Sequence, residues 1–493
     1  RDTDRSRGLG DVYKRQYYTP IHSSYLLRCF AKDRILIIYY FFHTISFRSD
    51  RMGLLNTNIW QDHDSELARI SYAARMLYLL RGAICLDRME LAKRLGVTWP
   101  TASNTAEKLQ KIGALRTVAQ EAVSETGSGK SSYSLMVNPD YGYFVGISIG
   151  SSEIKLVVLD FNFDPLSKVS LQDYLCFYAE SEGNPVVFDW RKYLMQSDAT
   201  TNGYIKIPTP ESAERFSATI NQIVNGLIAA DINQQNQSPS TAKHLLGIGF
   251  AFTGAVDVEN KTVTESFNLP FLRGISYKTL ISPSNREYLE SQNITVSFQH
   301  NAKTVAIAEK YYLQKNNSPL GESEDIVSIY LGTGIGCGLI LSNRLFTGTK
   351  NYSGELGHIP LLIQSNKAIT LEEYIRIYVF GESDFDTYRK MKLSQLREIL
   401  NQSVEAQKHF SQALGYAINT VATLFNPSLI ILSGKLSELA STCLDSIYSY
   451  QFSALPYVFD SYKLQISEQG ICSPAIGAAM YAFYARYDIN VQF

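Results

Sequence analysis

The chain carries 493 residues, 45% hydrophobic and 19% charged, with a formal net charge of −1. That is an ordinary balance for a globular protein with a large core; it excludes a nucleic-acid or membrane partner recognised through global charge and leaves only local patches. The six cysteines (Cys29, Cys85, Cys176, Cys337, Cys443 and Cys472) are scattered without a C-x-x-C pair, which argues against a disulfide framework or a cysteine zinc site and fits a reducing cytoplasm.

Residues 1–51 stand apart. "RDTDRSRGLGDVYKRQ" is polar and aperiodic, and the apolar core of "RILIIYYFFHTISF" is about eight residues, short of the ~20 needed to span a membrane and without a small-residue cleavage site after it. The stretch is expected to be a non-native or disordered extension, with Met52 as the start and a cytoplasmic location.

Residues 52–138 form the first expected domain. "ELARISYAARMLYLLRG" places Leu67, Ile70, Ala74, Leu77 and Leu80 at helical spacing. A second short helix in "LDRMELAKRLGV" stops at Gly96, and "TWPTASNTAEKLQKIGAL" opens a third with Thr98 as N-cap and Pro100 in the first turn, where a missing N–H costs nothing. A hairpin through "ALRTVAQEAVSETGSGKSSYSLMVNP" completes the winged helix-turn-helix order. Residues 66–133 hold ten Lys/Arg against six Asp/Glu, a local surplus suited to phosphate contacts. A recognition helix enters the major groove by its start, so Thr98, Trp99, Thr101, Ser103 and Asn104 are candidate base readers, with Lys108, Lys111 and Lys130 for phosphates. A protein-interaction module is the alternative use of these elements, and packing the alternative use of Trp99.

From residue 141 the chain reads as α/β. "YGYFVGISIGSSEIKLVVLDFNFDPL" alternates as two strands joined by a Gly/Ser turn, and "VSIYLGTGIGCGLILSNRLF" repeats the unit; helical patterns lie between and after them, an alternation that predicts duplicated lobes around a cleft. The stretch from about 171 to 210 has no clear period and is assigned as an insertion on the first lobe. Gly332, Gly334, Gly336 and Gly338 strip a turn of Cβ atoms, as a backbone approaching a phosphate requires.

In chain order, "GIGFAFTGAVD", "FQHNAKTVAIAE", "LGTGIGCGLILSNRLFTGTKNYSGELGHIPL" and "NPSLIILSGKL" resemble the ROK family (repressor, open reading frame, kinase), in its branch of N-acetylglucosamine- and xylose-type repressors with an N-terminal winged helix. The resemblance covers about residues 66–490, and its most specific element is G-T-G-I-G-x-G followed by G-E-L-G-H, since a lone glycine loop carries little. It implies a two-lobed actin-like (ribonuclease H-like) sugar-kinase-type domain: lobe 1 at 141–297, lobe 2 at 298–493 with its last helix packed back on lobe 1, and a sugar in the cleft. Kinases and sugar-responsive repressors are the family's two branches.

A sugar kinase must deprotonate the acceptor hydroxyl while Mg²⁺ and backbone amides hold the triphosphate. In the family's kinases the base is the Asp of N-D-A; here the motif is His300-Asn301-Ala302, and an amide cannot take the proton. The kinase D-x-G-x-T loop is "SIGSS", with Ser148 replacing the carboxylate near Mg²⁺, and the adenosine-side G-G is Ser433-Gly434. His300 is the one substitute base left open, because imidazole titrates near neutrality. Gly332, Thr333, Gly334 and Gly336 are therefore expected to form a vestigial nucleotide loop, with no ATP or Mg²⁺ chemistry. The family's structural zinc uses the His of G-H and three cysteines; His358 is present, but Ile363, Ser365 and Thr370 stand where the thiolates belong. One His makes no tetrahedral site, so no zinc is expected, and packing by Ile363, Ile369 and Leu371 is the expected substitute.

The resemblance places Asn268, Glu355, His358 and Glu372 at sugar-binding positions, and His300 and Asn301 join them as groups able to bond hydroxyls. The combined expectation is a cytoplasmic, sugar-responsive DNA-binding regulator, a repressor of carbohydrate genes. It would act as a homodimer or homotetramer on a double-stranded DNA operator, with a small sugar or sugar-phosphate effector and no membrane partner. The alternative is an ATP-dependent sugar kinase with an appended DNA-binding module.

Overall fold

The structure is a computed structural model that describes residues 71–82, 84–119, 133–176, 190–197, 202–237, 243–316, 318–364, 367–449 and 461–489. The expected extension at 1–51, Met52, the start of the first expected helix and Lys130 lie outside them, as do the side chains of Ile363 and Ser365. All described residues fall in one compact unit, Ile70–Phe493.

Three helices open the described chain: α1 (Ser71–Leu79), α2 (Arg88–Leu95) and α3 (Trp99–Lys111). Asp87 starts α2 by accepting the N–H groups of Met89 and Glu90, both at 2.8 Å, which satisfies donors that no intrahelical carbonyl can reach. Their apolar faces meet: Met76, Leu77, Leu80, Leu91, Ala106 and Leu109 are fully buried. An antiparallel hairpin follows, β1 (Leu115–Ala119) paired with β2 (Tyr133–Val137), Leu115 opposite Val137. Gln110 ties helix to hairpin, accepting from Arg88 Nη2 at 3.1 Å and donating to Thr117 Oγ1 at 2.7 Å.

The rest is built on two sheets. The first contains β3 (Gly142–Ile149), β4 (Glu153–Asp160), β5 (Leu194–Gln196), β6 (Gly203–Pro208), β7 (His244–Phe252) and β10 (Thr295–His300), in the order β10-β7-β3-β4-β6-β5. A small hairpin, β8 (Ala255–Asp257) with β9 (Thr262–Glu265), follows β7. The second sheet contains β11 (Ile326–Leu331), β12 (Ile335–Leu341), β13 (Arg344–Phe346), β16 (Leu429–Ser433) and β17 (Lys463–Ile466), in the order β13-β12-β11-β16-β17. Between β13 and β16 lies a further hairpin, β14 (Pro360–Gln364) with β15 (Lys367–Thr370). In both sheets an antiparallel hairpin leads into parallel neighbours, the duplicated unit visible in the sequence.

Two sequence expectations change. The strand β3 does not alternate between core and solvent: all eight of its residues are buried, because the helix Ser473–Arg486 covers one face and the core under α4 (Ala213–Gln237) fills the other, the situation that makes parallel strands apolar throughout. Within the expected insertion, β6 pairs with β4 and carries β5 at the sheet edge, so part of that stretch extends the sheet.

Three further helices place the site. α5 (Asn301–Lys315) follows β10 directly and packs on β11 and β12; α6 (Val404–Phe425) covers the second sheet's other core; α7 (Ser473–Arg486) lies across β3, β7 and β10 and against α5. The contact of α7 with α5 is close enough that a Cβ on Gly477 would run into the carbonyl of Thr304. The first sheet's strand β10 and the helix α5 that packs on the second sheet therefore share one junction, His300-Asn301, so the first sheet runs past the expected lobe boundary at 297/298.

Candidate functional site

A cavity of about 440 Å³ opens between the ends of the two sheets and is lined by Asn268, His300, Asn301, Glu355, His358 and Glu372 together with Gly332, Thr333, Gly334 and Gly336. The six sugar candidates and the glycine loop thus share one site. They arrive from separate elements: Asn268 from the loop after β9, His300 from the end of β10, Asn301 from the first residue of α5, Glu355 and His358 from the loop after β13, and Glu372 from the turn of helix after β15.

The junction is held rigidly. His300 caps α5 by accepting the Ala302 N–H at its Nδ1, 3.3 Å away, which leaves Nε2 as the protonated nitrogen, 3.9 Å from Glu355 Oε1. Burial, with Lys303 and His358 adding repulsion, pulls the imidazole down to about 3, so it is neutral at physiological pH. Asn301 donates to the carbonyl of Ile149 at 3.4 Å, and its Oδ1 has no partner among the described residues. Glu355 Oε1 is likewise buried and unpartnered, and its other oxygen lies 3.9 Å from His358 Nε2, too far for a hydrogen bond. Burial raises the Glu355 carboxyl above the usual range, partly offset by Lys303 and His358. Two buried acceptors at a cavity wall are what hydroxyl donors of a ligand would satisfy.

Glu372 does a different job. Its Oε1 accepts the Ile335 N–H at 2.5 Å and so ties the helix turn to the start of β12, while burial raises its pKa. A Cβ on Gly334 would collide with Asn268 Nδ2 and crowd Glu372 Oε1. The glycine at this position lets the turn approach Asn268 and Glu372, a role distinct from phosphate binding.

Several contributors were not singled out from sequence. Lys303, fully buried, donates to the carbonyls of Asn351 at 3.0 Å and Ser353 at 2.8 Å and anchors the loop that delivers Glu355; burial lowers its pKa to about 8. Asn351 completes that anchor with bonds to Val256 O at 3.0 Å and Gln299 Oε1 at 2.8 Å. Phe267, 66% exposed beside Asn268, lies 4.6 Å from the His358 ring, centre to centre. Tyr330 lines the cavity's other end, where its ring contacts the positions a Cβ would take on both Gly332 and Gly434; it lies between the two glycine loops. A lysine two residues after Asn301 and an aromatic next to Asn268 were the available signals, but neither has meaning until the loops are brought together.

Of the residues at the expected zinc positions, His358 and Thr370 have described side chains. Thr370 caps the helix turn by accepting the Glu373 N–H at 3.3 Å, His358 faces Phe267 and Glu355, and among the described residues no three His, Cys, Asp or Glu side chains are grouped to hold a metal. Leu371 is fully buried in the second core and Ile369 half-buried. Ser148 is buried in β3, paired with Lys155 and Ala251, and does not line the cavity.

Residues 202–483, more than half of the chain, match the ROK family. The chain belongs to the ROK family. Over 411 residues it is 24% identical to a xylose repressor of Bacillus subtilis, covering 80% of this chain and 89% of that one. Over 284 residues it is 24% identical to an N-acetyl-D-glucosamine kinase of Haemophilus influenzae, covering 53% and 83%. Its fold resembles the crystal structure of a ROK family transcriptional regulator, a homologue of the Escherichia coli MLC protein, with a TM-score of 0.58, 18% identity, and coverage of 84% of this chain and 96% of that one. The two-sheet α/β body is therefore the ROK actin-like fold.

Ahead of that body, helix α3 exposes Thr98, Asn104 and Trp99, the last 53% exposed, with Thr101 and Lys108 half-buried. Ser103 is a correction: it is 5% exposed and donates to Glu107 at 3.1 Å, on the face turned to the other helices, so it cannot meet a base edge. Thr98 starts the helix as expected but makes no side-chain cap bond; its hydroxyl pairs with that of Thr101 at 2.9 Å. Among the described residues no helix is long and apolar enough to cross a membrane.

Proposed function

We propose that this ROK protein is a sugar-responsive transcriptional repressor without kinase activity. Its three helices and hairpin serve as a winged helix-turn-helix that presents Thr98, Trp99, Thr101 and Asn104 to an operator, with Lys108, Lys111 and Lys130 for phosphates; a homodimer reads two half-sites. A sugar or sugar phosphate binds in the cavity, where Asn268, His300, Asn301, Glu355, His358 and Glu372 converge. The xylose repressor and ROK regulator relatives support both halves of this reading.

One observation carries it: Asn301 stands at the base position with an unpartnered acceptor in the cavity. That arrangement can hold a hydroxyl but cannot deprotonate it. His300 does not replace it, because a general base works best with a pKa near the operating pH and burial holds this imidazole near 3. Tyr330, set between the glycine loops, further disfavours a triphosphate there. Binding controls DNA affinity only if the sugar prefers one of two arrangements of the chain.

The test is a gel shift on DNA from upstream of the protein's own gene, repeated across sugars and sugar phosphates beginning with D-xylose. The expected result is a complex that weakens with salt and whose affinity changes by about tenfold with one of the sugars. No DNA binding would remove the regulator reading; binding indifferent to every sugar would remove the effector.

A further inference from the structure

Arg81, just beyond α1, is 2% exposed, and none of its Nε, Nη1 and Nη2 atoms has a hydrogen-bond partner among the described residues. Its guanidinium carbon lies 3.1 Å from the centre of the Phe483 ring, 4.0 Å from Phe163 and 4.9 Å from Phe161. Guanidinium brings five donors, and burying them unsatisfied is costly even with ring faces to hold the charge. Burial accordingly pulls it down to about 9. An apolar side chain of similar volume would pack there at less cost, so the arginine is poorly explained by stability.

Its position offers another explanation. The helix α1 buries Met76 and Leu77 in the DNA-binding module, whereas Phe161 and Phe163 follow β4 and Phe483 belongs to α7. The next residue, Gly82, donates its N–H to Asn162 Oδ1 at 3.1 Å, and the Asn162 carbonyl accepts from the Tyr311 hydroxyl at 2.9 Å. Tyr311 is on α5, whose first residue, Asn301, lines the sugar cavity. A single helix therefore connects the cavity to the seat of Arg81, ten residues or about 15 Å along its axis.

We propose that Arg81 is the positioning residue that couples the cavity to the DNA-binding module. This rests on the sugar-responsive reading above. A planar cation clasped by ring faces on two elements is sensitive to their relative shift, since the attraction depends on its place over each ring. Movement of α5 and α7 on sugar binding thus biases the setting of α1.

The test is fluorescence anisotropy of labelled DNA from upstream of the gene, with and without saturating D-xylose, D-glucose or N-acetyl-D-glucosamine. In the wild type the ratio of the two DNA affinities is expected to be about tenfold, and in Arg81→Met to fall below about twofold. Sugar affinity measured by calorimetry without DNA stays unchanged, the melting temperature does not fall, and Arg81→Lys recovers part of the ratio. Tyr311→Phe, which removes only the hydroxyl bonded to Asn162, reduces the ratio by about threefold and serves if Arg81→Met does not fold. Either variant keeping the wild-type ratio, or losing it only in step with sugar affinity, overturns the role of Arg81 and leaves the sugar-responsive reading standing. A wild type unmoved by every sugar overturns both.

Discussion

The two ends of the cavity share a glycine loop but offer different chemistry. At one end Asn268, Asn301, Glu355 and Glu372 converge, and two buried acceptors, Asn301 Oδ1 and Glu355 Oε1, have no partner among the described residues. At the other, Tyr330 lies between Gly332 and Gly434, and Lys155 is paired with Glu153 at 3.2 Å. The contrast shows what the glycines serve. Gly334 lies so close to Asn268 and Glu372 that a side chain would displace them, so the packing at this end requires the glycine whether or not a nucleotide ever enters.

The largest effect that could sharpen this contrast comes from the buried imidazole. His300 has a folded-state value near 3 against about 6.5 in an unfolded chain, so the folded state binds fewer protons. The resulting stability is complete above about pH 6.5 and is lost as pH falls toward 3. His300→Asn keeps a capping side chain and removes the titration. Denaturant unfolding at pH 7 and pH 4 should show the wild type losing roughly 3 kcal/mol more than the variant; equal losses would mean the cavity end is wetter than its burial implies.

Next is Glu355→Ala, expected to weaken sugar binding by roughly 10- to 100-fold, the worth of a hydrogen bond to a charged group, as read by calorimetry. Asn301→Ala should cost about tenfold, while Asn301→Asp leaves ATP-dependent turnover at background; turnover gained by that single change would erase the distinction between the two ends. The smallest effect belongs to Tyr330→Ala. Sugar affinity should stay within about twofold because the ring touches none of the unpartnered acceptors, whereas binding of a fluorescent ATP analogue should rise.

The residues that line the cavity were legible because short motifs fix them: N-A after a strand, G-E-L-G-H after a glycine hairpin. Each motif carries its own local geometry, and the fold only has to bring the ends together. Tyr330 and Lys303 were not legible, because their roles depend on approach across the cleft, to Gly434 in one case and to Asn351 and Ser353 in the other. Ser103 was misplaced for a related reason. A serine among small residues does not declare its helix face, and the burial of Ala102 and Ala106 beside it is known only once α3 is packed. In β3 the apolar run was read as alternating, since the cover on its second face comes from α7, more than 300 residues later. Arg81 gave no sequence signal: a basic residue at a helix end ordinarily reads as favourable to the helix dipole, and only the rings around it show otherwise.

The central claim, that the cleft senses a sugar and does not phosphorylate it, meets its most direct test in one incubation. The protein is mixed with ATP, Mg²⁺ and the sugar that shifts its DNA complex, and the products are followed by phosphorus NMR. No sugar phosphate should form above the protein-free background, while the same sugar still alters DNA affinity without nucleotide. Sugar phosphate accumulating with enzyme concentration, and lost in Asn301→Ala, would contradict the account.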